Sequence, residues 1–218
     1  MFIAVNGVTL FYEKTGNGPT LLLLHGNGED HTTFDALTKA LKQHFTIYAV
    51  DSRNHGQSQQ TDIFDYTLMS EDIYAFIVAL GLTPASIVGF SDGGIVALLL
   101  TMHHPEAVHK MALLGANLTP SDILPTVYQD MQKIYEETKS PLFQLMLEQP
   151  NITLAEVQTV PTPTLLVAGE HDIIRLSLYE EMAETMPEAS VRIMEGHDHS
   201  SYVEHSDLLA DPLLKFFT

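Results

Sequence analysis

The chain has 218 residues, no cysteine, 45% hydrophobic residues and a formal charge of −18 at neutral pH. That length suits one domain built on a full central sheet, and the composition is that of a packed globular protein rather than a disordered one. Without cysteine there is no disulfide, thiol nucleophile or thiolate metal site, and the acidic charge speaks against nucleic acid and anionic membrane surfaces as partners.

The N-terminal stretch lacks a basic region followed by an apolar core, so no signal peptide is expected. The apolar runs at 21–24 and 95–100 are far too short to span a membrane. A cytoplasmic protein, monomeric or a small homo-oligomer, is the expectation. Residues 2–5 and 8–12 flank Asn6-Gly7, a strong hairpin signal. After Gly16-Asn17-Gly18-Pro19, residues 20–24 form an unbroken apolar run, which predicts a strand covered on both faces. It ends in the loop His25-Gly26-Asn27-Gly28. Phe34, Leu37, Ala40 and Leu41 have helical spacing, residues 45–50 read as a strand, and residues 51–58 as a polar loop. A helix is predicted over 68–80, with Ile73, Phe76, Ile77 and Leu80 on one face.

Next come the β-branched run Ser86-Ile87-Val88, the segment Gly89-Phe90-Ser91-Asp92-Gly93-Gly94, and a longer apolar run over 95–100. A serine between a short buried strand and a buried helix, with glycines two positions to either side, fits a tight strand-to-helix turn. Such a turn lifts the hydroxyl clear of the sheet and aims free helix N–H groups at any anion beside it. Residues 110–115 read as a further strand, after which the alternation stops. Thr119-Pro120-Ser121-Asp122 reads as the start of a helix carrying Leu124, Val127, Met131, Ile134 and Tyr135. Ser140-Pro141 starts a second helix, and Thr153 with Glu156 caps a third, short one. Alternation resumes with a strand at 164–168, a helix at 178–186, a strand at 190–194 and a helix at 208–217. The pattern predicts an α/β fold: a mostly parallel sheet with helices on both faces, a core of residues 1–116 and 161–218, and a small helical cap insertion over 117–160.

His25, Asp51, Ser91 and Asp172 all fall at carboxyl ends of predicted strands, where reactive groups of such sheets gather. A serine nucleophile needs a base and a group to orient that base. Asp172 ends one strand, and Gly196-His197-Asp198-His199 follows the next, so the order serine, aspartate, histidine is present. Either histidine could serve. The oxyanion hole is expected from the amides of Asp92 and Asn27.

These segments resemble the α/β-hydrolase family over essentially the whole chain. His25-Gly26 is similar to its oxyanion loop, Asp51-x-Arg53-x-x-Gly56-x-Ser58 to its loop after the fourth strand (with Asn54 where glycine is usual), and 163–172 to the strand that delivers the acid. His199 with Glu204 resembles the family's closing H-x-x-x-x-E segment, and the resemblance favours His199 over His197 as the base. His197 would then be a loop histidine bonded to backbone. Some members carry the acid after strand six, but here Asn117 holds that place, so Asp172 is preferred. Ser-Asp-Gly-Gly with Leu114-Gly115-Ala116-Asn117 resembles the valacyclovir-hydrolase-like (biphenyl-hydrolase-like) branch. The resemblance implies a cofactor-free serine hydrolase acting on small to medium carboxylic esters through an acyl-enzyme. An amidase or aminopeptidase, a lactonase and a C–C bond hydrolase would use the same residues, and a non-catalytic binder would share the fold.

Tyr128, Met131, Phe143 and Met146, with Asp92, are the candidate substrate-binding residues. Asp92 either bonds locally at the helix start or offers a counter-charge to a cationic substrate group. Glu170 and Asp198 are expected to be exposed or bonded locally, and Arg53 and His55 to pin their loop. No histidine cluster matches a recognised ligand spacing, so no metal is expected. The short insertion predicts a fairly open site.

Overall fold

The computed structural model describes residues 1–218. Eight strands form one sheet in the order β1-β2-β4-β3-β5-β6-β7-β8: β1 (Phe2–Val5), β2 (Val8–Gly16), β3 (Thr20–Leu24), β4 (Thr46–Val50), β5 (Ala85–Phe90), β6 (Val108–Leu114), β7 (Thr164–His171) and β8 (Ala189–Asp198). β1 and β2 pair antiparallel through the turn at Asn6 and Gly7, whose φ values of 45° and 75° are those of a tight hairpin. β2 is antiparallel to β4, and every later pairing is parallel.

The central strands are apolar without alternation because both faces are covered. Leu22 and Leu24 of β3, Ile87 of β5, Leu113 of β6 and Leu166 of β7 meet α2 (Tyr66–Ala79), α3 (Asp92–His103) and α7 (Ser177–Thr185). Their neighbours Leu21, Leu23, Val88, Leu114 and Val167 meet α1 (Asp35–Leu41) and α8 (Ala210–Phe217) on the other face. Truncating one of these leucines to alanine would cost about 2–5 kcal/mol.

Local chemistry moves several boundaries from those that periodicity predicts. Asp65 caps α2, its Oδ1 accepting from the Leu68 amide at 2.7 Å, so the helix starts two residues before 68. Between β6 and β7 lie α4 (Pro125–Thr138), α5 (Pro141–Glu148) and α6 (Leu154–Val157). The single helix expected from Thr119 is instead a 3-10 turn over Pro120–Asp122 and a separate α4. Ile123 is extended and bridges to Ile174, and Pro125, which has no N–H to give, opens the new helix. Asn54 takes a left-handed backbone (φ 67°), and its side chain holds the Thr61 amide and the Ile63 carbonyl. No helix is long and apolar enough to cross a membrane.

Candidate active site

Ser91 stands between β5 and α3 with φ 50° and ψ −115°, a conformation costly for any residue with a Cβ. The glycines around it explain how that turn closes. A Cβ on Gly89 would lie 2.2 Å from the Gly93 carbonyl oxygen, and one on Gly93 would lie 2.1 Å from that of Leu24. At Gly94 it would meet the Ala116 Cβ at 2.8 Å. The Ser91 amide donates to the Leu114 carbonyl at 2.7 Å, tying the turn to β6. The amides of Asp92 and Asn27 donate to no atom of the chain.

His199 follows the end of β8. Its Nε2 lies 3.2 Å from Ser91 Oγ and its Nδ1 2.7 Å from Asp172 Oδ1. Asp172 is buried; Oδ1 also accepts from the Ile174 amide at 3.1 Å, and Oδ2 from the Gly169 amide at 3.2 Å. With the imidazole proton on Nδ1, facing the carboxylate, Nε2 is free to accept from the serine. Two glycines make room for this approach. A Cβ on Gly115 would lie 2.7 Å from His199 Cε1, and one on Gly169 would lie 2.2 Å from the Asp198 carbonyl oxygen. The His199 side chain keeps 16% exposure, so solvent reaches it.

His197 is half-buried and faces Ser201 Oγ at 3.2 Å, a side-chain partner rather than the backbone one expected. Glu170 accepts from the Gly196 amide, and Asp198 from the amides of Ser200 and Ser201. Asn117 donates to the Thr119 carbonyl.

The loop His25-Gly26-Asn27-Gly28 is held from below. Buried His25 accepts the Ser52 amide on Nε2 at 3.0 Å and sets Nδ1 2.8 Å from the Gly26 carbonyl, an arrangement that requires the neutral ring. Burial, then the neighbouring His55, pulls its pKa down to about 4. Glu29 Oε2 accepts from the Gly26 amide at 2.9 Å and from Thr33 Oγ1 at 3.0 Å, and burial pushes this carboxyl above its usual value. Arg53 pairs with Asp72, and His55 Nδ1 lies 2.9 Å from the Arg53 carbonyl oxygen. Asp30, His31 and Asp51 bring ligand atoms within 4.8 Å of one another, a spacing that could hold an ion. Those atoms are engaged internally: Asp51 Oδ1 by the His31 amide and ring, and Asp30 Oδ1 by Thr32.

Two cavities open on Ser91. The larger, about 550 Å³, is lined by Asn27, Glu29, Phe143, His199 and Glu204 among others. The smaller, about 210 Å³, includes Tyr66, Asp92, Val127, Met131 and Gln149. Met146 and Ile173 line both. Asp92, Met131, Phe143 and Met146 are therefore brought to the serine. Tyr128 is not. It lines a separate groove with Gln129, Gln132 and Asn151, and its hydroxyl points at the Leu147 carbonyl, because the break before Pro125 sets which face of α4 turns inward.

Asp92 neither caps α3 nor bonds locally: its Oδ2 accepts from Asn27 Nδ2 at 2.8 Å. Burial raises its pKa, and burial, then the neighbouring Asp92 carboxylate, raises that of Tyr66. Sequence reasoning missed Tyr66, Ile173, Ile174 and Gln149 in the small cavity; only Tyr66, at the start of an aspartate-capped helix, left a readable trace.

The family model for the alpha/beta hydrolase fold matches residues 19–150. The human serine hydrolase BPHL is 33% identical over 203 aligned residues, which cover 78% of this chain and 69% of that protein. Among solved structures, naproxen esterase from Bacillus subtilis superposes with a TM-score of 0.83 at 18% identity, covering 100% of this chain and 90% of that one. The meta-cleavage product hydrolase CumD from Pseudomonas fluorescens gives a TM-score of 0.82 at 21% identity, over 100% and 97%. This chain belongs to the α/β-hydrolase family.

Proposed function

We propose that the protein is a serine hydrolase that splits small to medium carboxylic esters through an acyl-enzyme. One observation carries the reading: Ser91 Oγ, the His199 ring and the Asp172 carboxylate lie in line at 3.2 and 2.7 Å, although they come from three separate loops. In this reading His199 Nε2 takes the serine proton as Oγ adds to the ester carbonyl carbon. The oxyanion that forms is met by the amides of Asn27 and Asp92. Collapse of the adduct breaks the bond to the alcohol, whose oxygen takes the proton back from Nε2. A water then repeats both steps on the acyl-enzyme and releases the carboxylic acid. Every group needed is on this chain, and no cofactor enters a step. The name of its 33% identical relative, a serine hydrolase, supports the same chemistry.

A fluorophosphonate probe tests the reading. It should label the peptide containing Ser91, abolish hydrolysis of p-nitrophenyl esters in proportion, and leave Ser91→Ala unlabelled. An unreactive serine with no ester turnover would make the protein a binder of this fold instead. Amides and lactones tested beside the esters would show whether a different acyl substrate is preferred.

A further inference from the structure

The cationic side chains of this acidic chain are not spread evenly over it. Lys and Arg number 10 against 28 Asp and Glu. Three of those ten, Lys110, Arg192 and Lys215, line a single groove of about 620 Å³. It crosses the sheet where the chain enters β6, β7 and β8, near Lys110, Pro163 and Glu188. Ser91 lies beyond the opposite, carboxyl end of its strand.

Strand register explains the gathering. Side chains alternate across a sheet, and lateral neighbours share a face. Leu165 and Val167 of β7 face α8, so Ser190 and Arg192, their partners on β8, face the same way. β8 is the edge strand, which leaves Arg192 exposed at the border. Lys110 reaches α8 directly: its Nζ donates to the Phe216 carbonyl at 2.7 Å and lies 5.5 Å from the centre of the Phe216 ring. Lys215 stands in the last turn of α8, where a cation complements the free carbonyls. Arg192 has no such reason to be there. Arg53, Lys133 and Arg175 each hold a carboxylate, but Arg192 and Lys215 enter no ion pair, and Glu188, the one acidic residue of the lining, pairs with neither.

We propose that this groove binds a small amphipathic anion, with a phosphate or carboxylate head held by Arg192, Lys215 and Lys110 and a short apolar tail laid against Pro212 and Phe216. A recess lined by one sign of charge concentrates the opposite ion. Elsewhere the formal charge of −18 repels an anion, so the groove is where one can settle. The planar guanidinium of Arg192 can meet two oxygens of either head at once, while the lysines act as point charges beside it. Leu165 and Pro163 continue the apolar wall. The site needs neither Ser91 nor ester chemistry, so it stands or falls apart from the reading above.

Amide ¹H–¹⁵N spectra of the full chain, titrated with hexyl phosphate, hexanoate and hexanol, test the proposal. At least one of the two anions should give saturable shifts at Ser190, Arg192, Lys215 and Phe216, and hexanol should give none. Saturation at the lower concentration by hexyl phosphate assigns a phosphate head, by hexanoate a carboxylate head, and either supports the groove. Binding should weaken as salt is raised, because the charges are open to solvent. Arg192→Gln should weaken it about fivefold, and Arg192→Gln with Lys215→Gln more than about tenfold. Both side chains are exposed, and the same spectra report that the variants keep the fold. Lys42→Gln, an exposed lysine outside the groove, and Ser91→Ala should bind as the parent does. Shifts that never saturate or scatter over the surface would overturn the proposal. So would an equal response to hexanol, or undiminished binding in the double variant.

Discussion

The side-chain amide of Asn27 donates to the carboxylate of Asp92 at 2.8 Å. The two residues whose free backbone amides are proposed to meet the oxyanion are thereby tied to each other across 65 positions of chain. One sits on the loop after β3 and the other on the first turn of α3, so the tether fixes the loop against the helix. Asn27→Ala would leave the buried Asp92 carboxylate without this donor, at about 1–3 kcal/mol in stability, and would loosen the loop. A fall in kcat of about tenfold to a hundredfold is expected. Asp92→Asn keeps an acceptor oxygen and should cost less. Urea unfolding and steady-state kinetics on both variants check this.

Gly115 is proposed to position the base. Its φ is +64°, and an added Cβ would lie 2.7 Å from His199 Cε1 and 3.0 Å from Nδ1. Gly115→Ala should push the ring off the line between Ser91 and Asp172 and lower kcat by about a hundredfold, the usual cost of a misplacement near 1 Å. KM should change much less. A KM effect as large as the kcat effect would mean that the substitution acts on the cavity instead.

Acidification should destabilise the protein through His25. Burial lowers its folded pKa from 6.5 to about 4. Above pH 6.5 the ring is neutral whether the chain is folded or unfolded. As pH falls from 6.5 toward 4, the unfolded chain takes up a proton that the folded one refuses, so stability is lost across that window and levels off below it. The full loss is roughly 3 kcal/mol. Glu29 and Asp92, both raised by burial, act in the opposite sense, since they disfavour the folded state as pH rises through their own range. The difference in urea stability between the wild type and His25→Gln isolates the histidine: it should shrink on going from pH 7 to pH 4.

Arg53 and Asp72 form a buried bidentate pair at 2.5 and 2.6 Å, and Asn6 adds a bond to Asp72 at 2.8 Å. The pair joins the loop after β4, α2 and the β1–β2 hairpin. Arg53→Ala should cost about 3–5 kcal/mol, because it strands a buried carboxylate. Arg53→Met with Asp72→Leu should recover part of that loss. A double variant no more stable than Arg53→Ala would contradict this.

The parts of the site legible in the sequence were those with steric or covalent necessity behind them. The glycines around Ser91 are required by approaches near 2 Å, and the apolar run at 20–24 by cover on both faces. Asp172 and His199 were legible as polar residues just past strand ends. Between the two histidines, residue chemistry alone left the choice open; only the resemblance separated them, since the separating fact is a distance. The cap was harder to read. Val127, Tyr128 and Met131 share one helix, and periodicity gives the stripe but not its rotation, which the extended Ile123 and the restart at Pro125 decide. Gln149 and Ile173 reach the cavity from loops with no periodicity at all.

The most direct test of the account is the hydrolysis of p-nitrophenyl butanoate by His199→Ala beside His197→Ala. With His199 as the base that activates Ser91, the first variant should lose about a thousandfold or more in kcat, and the second should stay within about threefold of the parent. Substantial activity in His199→Ala, or a comparable collapse in His197→Ala alone, would contradict it.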